Sequence, residues 1–115
     1  MELTLETVHR IVTRLFSPAD HQAALAMLEQ YGTAAWEGEI ARVRVAALKV
    51  SGGKIAELER AVAAAKVDYR DVLSWAEYPT ELVKPTWEMP GPDVAQIRTT
   101  DRSQYMQWLI EITKP

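Results

Sequence analysis

The sequence predicts an all-α fold: a five-helix bundle whose third and fourth helices form a central hairpin, with a proline-rich connector before the last helix. Three observations carry this reading. Ile55, Leu58, Val62, Ala65, Tyr69, Val72 and Ala76 step by three and four residues, the spacing of a packed helical seam. Ser51-Gly52-Gly53 is a helix stop and a tight turn, so the helices on either side fold back on one another. Between them, Trp36, Ile40, Val43, Ala47 and Val50 form one apolar stripe and Ala41, Val45 and Leu48 a second. A helix with two apolar stripes is clasped from two sides, which makes the third helix the centre of the bundle.

The remaining elements follow in order. Leu5, Val8, Val12 and Leu15, with Ile11 and Phe16 beside them, have helical period. At Ser17-Pro18-Ala19-Asp20, Ser17 is a good N-cap, Pro18 suits the first helical position and Asp20 completes a capping-box-like turn. The second helix carries Ala24, Leu25, Leu28 and Tyr31 on one face, and Gly32 supplies its left-handed end. The third helix is predicted to start near Ala35 or Trp36 and run to Val50. The fourth is predicted to run unbroken to Glu77, because Pro79 disfavours helical backbone at the residue before it. Pro79 to Pro92 contains four prolines and reads as an irregular connector, pinned to the bundle by Trp87 and Met89. Val94 to Arg98 reads as a short extended piece or a helical turn. Thr100 or Asp101 is then predicted to cap a last helix, with Gln104 as capping-box partner and a wide apolar face from Tyr105 to Ile112.

The 115 residues suit a single domain spanning 1–115, and 48% hydrophobic with 25% charged residues is ordinary for a globular protein. The absence of cysteine excludes disulfides, thiolate catalysis and cysteine-based metal sites. The acidic start, Met1 to Glu6, does not read as a signal peptide, and no apolar run reaches the ~20 residues that span a bilayer. The expected location is therefore the cytoplasm, with no membrane partner. A net charge of −3 argues against wholesale binding to polyanions. Residues 1–39 carry two bases and six acids, 40–70 seven bases and three acids, and 71–115 four bases and seven acids. The basic middle is interleaved with Glu57, Glu59 and Asp68, and its long helices are unlike a compact DNA-reading unit, so a solvated surface explains it better than nucleic acid.

One place collects polar groups that a plain bundle does not need. Asp68, Tyr69, Asp71 and Trp75 lie near the end of the fourth helix, and folding at Gly52-Gly53 sets Trp36 beside Tyr69, with Glu37 and Arg44 on the same arm. Arg44 projects between two apolar stripes and calls for a carboxylate partner. Trp36, Glu37, Arg44, Asp68, Tyr69, Asp71 and Trp75 thus form either an ion-pair network that fixes the helix crossing or a recognition surface or small polar pocket. Other chemistry finds no support. His9 and His21 do not have zinc-motif spacing, no serine stands in a nucleophile elbow, and Gly52-Gly53 lacks the lysine of a phosphate loop. Asp68 with Asp71 lacks further oxygen ligands for a hard cation. No catalytic residue, metal or cofactor is predicted.

The run Arg42-Val43-Arg44-Val45-Ala46-Ala47-Leu48-Lys49-Val50-Ser51-Gly52-Gly53 resembles the middle of a family of small uncharacterised bacterial proteins. So do Asp68-Tyr69-Arg70-Asp71-Val72-Leu73, Ala76-Glu77-Tyr78-Pro79 and Asp101-Arg102-Ser103-Gln104-Tyr105. The resemblance covers about residues 36–110 and implies a bacterial origin and an all-helical fold, with no activity attached. The functional expectation is a non-enzymatic protein-interaction or regulatory module, self-associating or partner-binding, since tryptophan and tyrosine also anchor interfaces. The alternative is a small-molecule-binding protein or modest enzyme using the polar cluster at the open end of the hairpin.

Overall fold

Thr4 opens the first helix with a reciprocal cap: its hydroxyl accepts the Thr7 N–H, and the Thr7 hydroxyl accepts the Thr4 N–H. The computed structural model describes residues 3–80 and 91–115, and the described residues are mostly helical with no strand among them. Six α-helices are present among the described residues: α1 (Leu5–Leu15), α2 (His21–Glu29), α3 (Ile40–Ser51), α4 (Ile55–Val67), α5 (Tyr69–Glu77) and α6 (Gly91–Ile112). A 3-10 turn, Pro18–Asp20, leads into α2. Of the connector expected over Pro79–Pro92, residues 81–90, with the pinning expected of Trp87 and Met89, lie outside the described residues, while Gly91 and Pro92 already belong to α6.

The expected central helix is central. α3 packs against α1, α4 and α5, and Val43, Val45, Ala46, Ala47 and Leu48 are all buried. Val8, Ile11 and Val12 of α1, Leu58, Ala61, Val62 and Ala65 of α4, and Val72, Leu73 and Ala76 of α5 complete the core around it. α2 lies against α1 and α4, while α6 lies against α5 and α1 and contributes Tyr105 and Leu109. Arg10 and Arg14 of α1 donate to the carbonyls of Thr113 and Ile112, satisfying the open C-terminal end of α6.

The turn between α3 and α4 depends on two glycines. Gly52 and Gly53 both have positive φ, 59° and 84°. Gly52 faces open space, but a Cβ on Gly53 would stand 2.5 Å from the Leu15 carbonyl oxygen. The end of α1 is therefore seated directly on the hairpin turn, at a distance only glycine allows.

Three expectations about the elements need correcting. The return arm of the hairpin is two helices, not one, so the bundle has six helices among the described residues where five were expected. Asp68 adopts extended backbone (φ −155°, ψ 104°), closing α4 through its N–H to the Ala64 carbonyl and opening α5 by accepting the Arg70 N–H on its side chain. Aspartate competes with the helix for backbone partners, and here it wins. α3 starts at Ile40 rather than near Trp36. α6 starts well before Thr100, and Asp101 sits buried within it, accepting the Thr80 N–H at 3.0 Å instead of capping its own helix.

Candidate functional site

The segment between α2 and α3 is organised by Glu37. Its Oε1 accepts the backbone N–H groups of Gly32, Thr33 and Ala34 at 2.9–3.0 Å, and its Oε2 accepts Lys66 Nζ at 3.1 Å. Glu37 is buried by this arrangement. The Ala34 amide above all, then Lys66 and the Gly32 and Thr33 amides, hold its carboxyl down at about 2, against the burial that would raise it. Those contacts require a folded-back loop, so the helical pattern cannot begin at Trp36. Glu39 then takes left-handed backbone (φ 52°) immediately before α3, a conformation uncommon outside glycine.

Cations close the other side of this loop. Lys66 also donates to the Gln30 carbonyl, and Arg44 Nη2 donates to the Tyr31 carbonyl at 2.8 Å. Both bonds fall where α2 runs out and its carbonyls need donors. Arg44 therefore meets a backbone oxygen where the sequence called for a carboxylate, and its buried Nε has no partner. Tyr31 is buried, and its hydroxyl donates to the Gly38 carbonyl at 2.6 Å. Burial first, and then the charge of Glu37, pushes that hydroxyl up to about 12.

Of the seven residues singled out in the sequence, Trp36, Asp68 and Tyr69 come together. With Ala65, Val67 and Arg70 they line an open cleft of about 280 Å³ at the α4–α5 junction. Glu37 lies behind it, joined through Lys66 on α4. Arg44 points away, toward the end of α2. Asp71 is exposed in the first turn of α5, where negative charge suits the helix dipole and adds to the field on the neighbouring Arg70 guanidinium. Asp68 is committed to Arg70, with contacts of 2.9 and 3.0 Å, and the Arg70 guanidinium beside it holds its carboxyl below the usual range. Trp36 is 73% exposed, Val67 87% and Trp75 42%.

A second polar cluster, which the sequence did not reveal, lies between α3, α5 and α6. Glu77, at the last position of α5, is 1% exposed and receives Arg42 in a two-pronged contact, Nε to Oε2 at 2.9 Å and Nη2 to Oε1 at 2.7 Å. That pairing, more than any other influence, pushes the Arg42 guanidinium above its ordinary range. Arg102 of α6 adds a longer contact of 3.3 Å to the same Oε1. Beside them is Tyr105, 4% exposed, whose buried hydroxyl has no hydrogen-bond partner. Burial, and next the charge of Glu77, pushes it up to about 12, with Arg42 and Arg102 pulling the other way. These four residues, together with Leu3, Met106 and Leu109, line a cleft of about 220 Å³. The available sequence signal was Tyr105 on a face otherwise apolar; nothing local connected Arg42 with a glutamate thirty-five positions later.

His21 is a packing residue, its Nε2 bonded to the Phe16 carbonyl at 2.9 Å. Among the described residues no three histidines or acids gather as metal ligands, and no helix is long and apolar enough to cross a membrane. Comparison of the chain with protein-family models, with curated proteins and with solved structures yields no match.

Proposed function

We propose that this chain is a non-enzymatic interaction or regulatory module of the bacterial cytoplasm, engaging a protein partner or a second copy of itself through the face around Trp36. The observation that carries the reading is the exposure of Trp36 and Val67 on one cleft, while most other large apolar side chains among the described residues are packed. Exposed apolar side chains gathered at one place mark interaction sites more often than scattered ones do. Tryptophan, tyrosine and arginine are also the residues that most often anchor interfaces, and Trp36, Tyr69 and Arg70 supply all three here. The Glu37 loop supports the same reading, because it fixes the backbone that presents Trp36 and lowers the ordering cost of binding. A small-molecule reading has less support at this end of the hairpin, where Asp68 and Glu37 already have their partners.

Native mass spectrometry and light scattering on the wild type and on Trp36→Ala test the proposal, with immobilised protein used for capture from a bacterial lysate. The expected result is a dimer or a captured protein that Trp36→Ala loses, with the melting temperature unchanged because Trp36 buries little. A strict monomer whose captured proteins are the same for wild type and Trp36→Ala would sink the idea.

A further inference from the structure

We propose that the cleft between α3, α5 and α6 binds a small organic monocarboxylate. Its carboxylate is received by Arg102 and the Tyr105 hydroxyl, and its apolar tail lies against Leu3, Met106 and Leu109.

The two arginines of this cleft are differently committed. Arg42 spends its Nε and Nη2 on Glu77 in short, parallel bonds and serves as the fixed lock between α3 and α5. Arg102 gives Glu77 a single contact of 3.3 Å and is 51% exposed. A guanidinium has five N–H donors in a rigid fork, so most of the Arg102 fork is open to a second carboxylate. The charges agree with this. Among the described residues two guanidiniums surround one buried carboxylate, and Glu39 reaches Arg42 only at 3.9 Å from a half-exposed position. One negative charge brings the cluster close to neutrality.

Tyr105 supplies the independent observation. A buried hydroxyl without a partner is rare in native proteins, because its desolvation goes uncompensated. Its ring lines the cleft and its hydroxyl lies within electrostatic range of Arg42, Glu77 and Arg102. A carboxylate on Arg102 would accept that proton donor.

Size and lining select the ligand class. The cleft's roughly 220 Å³ equals about seven waters at ~30 Å³ each, enough for a short acid and too small for a nucleotide. Leu3, Met106 and Leu109 offer the apolar wall that a fatty or aromatic acid uses and inorganic phosphate does not. No lining residue is shared with the Trp36 cleft, so the two sites stand or fall separately.

The test is a titration of the full chain with sodium hexanoate, followed by calorimetry and by the NMR signals of Tyr105 and Arg102. Hexanol and inorganic phosphate serve as parallel arms, and the variants are Tyr105→Phe, Arg102→Gln and Trp36→Ala. The expected result is saturable binding of hexanoate, with no comparable binding of hexanol or phosphate. Tyr105→Phe should weaken it about tenfold, the loss expected for one hydrogen bond to a charged group. Arg102→Gln should weaken it at least as much, and Trp36→Ala not at all. Tyr105→Phe removes an atom that bonds to nothing, and Arg102 is half exposed, so both variants should stay folded, as circular dichroism would verify. Absence of saturation overturns the proposal. So does hexanol binding as well as hexanoate, phosphate binding more tightly than hexanoate, or unchanged affinity in both cleft variants.

Discussion

Arg42 and Glu77 meet in a two-pronged ion pair with bonds of 2.9 and 2.7 Å, joining the first turn of α3 to the last residue of α5. Glu77 is almost wholly buried while Arg42 keeps 40% of its side-chain exposure, so the two partners are unequal. Removing Arg42 strands a carboxylate in the interior with only the long Arg102 contact, whereas removing both leaves an apolar gap. Arg42→Met is therefore expected to cost roughly 2–3 kcal/mol, somewhat below the 3–5 typical of fully buried pairs. The double variant Arg42→Met, Glu77→Met should recover much of that loss. Urea unfolding of the four members of this cycle measures both numbers. Arg42→Lys should behave more like Met than like Arg, since an ammonium cannot reproduce the fork.

The two glycines of the hairpin turn should respond differently to substitution. Gly53→Ala meets both a left-handed backbone and the Leu15 carbonyl 2.5 Å from its new methyl. The expected loss is at least ~2 kcal/mol, because backbone strain and a backbone clash combine. Gly52 has the milder φ of 59° and open space around it. Gly52→Asn should cost only about 0.5 kcal/mol, asparagine being the residue that best tolerates this conformation after glycine. Thermal melts of the pair separate the two causes.

What could be read from the sequence, and what could not, divides along a physical line. Apolar period placed α1, α2, the core of α3 and the seam of the return arm, because burial of a face depends on residues a few positions apart. That same period concealed the break at Asp68: Ala65, Tyr69 and Val72 keep their spacing across it, since α4 and α5 bury one continuous face. Trp36 extended the α3 stripe on paper, yet the Glu37 carboxylate binds three amides behind it and turns the chain away from a helix. The site residues show the same limit. Trp36 next to Tyr69 followed from hairpin register alone, but the partner of Arg44 proved to be a carbonyl, which carries no sequence signature. Arg42 looked like a solvated residue because its partner, Glu77, lies at the far end of another helix.

Acid should act on the Glu37 loop. Its folded carboxyl titrates at about 2 against an ordinary 4.5, so between those values the unfolded chain binds the proton more readily than the folded one. The stability this group contributes is present above the ordinary value and is lost as pH falls toward 2. Asp68, also lowered, acts in the same direction. Denaturant midpoints should therefore decline below about pH 5, and Glu37→Gln should be less stable at neutral pH with a visibly shallower acid limb. An acid limb of unchanged slope in that variant would remove Glu37 from the explanation.

Base should act on two tyrosines, and the pair distinguishes a satisfied hydroxyl from an orphan one. Tyr31 and Tyr105 are both raised to about 12 from an ordinary 10, so the unfolded chain loses these protons first and stability falls as pH rises from 10 to 12. Either Phe variant should flatten part of that fall. At neutral pH they should diverge. Tyr31→Phe deprives the Gly38 carbonyl of its 2.6 Å donor and should cost about 1–2 kcal/mol. Tyr105→Phe removes a buried hydroxyl that bonds to nothing, so its loss should be neutral or stabilising in the free protein. Melting curves of the two variants at pH 7, with and without hexanoate, would show whether that orphan hydroxyl is kept for a ligand: a Tyr105→Phe no less stable than the wild type, and protected by hexanoate only at about tenfold higher concentration, is the outcome the cleft predicts.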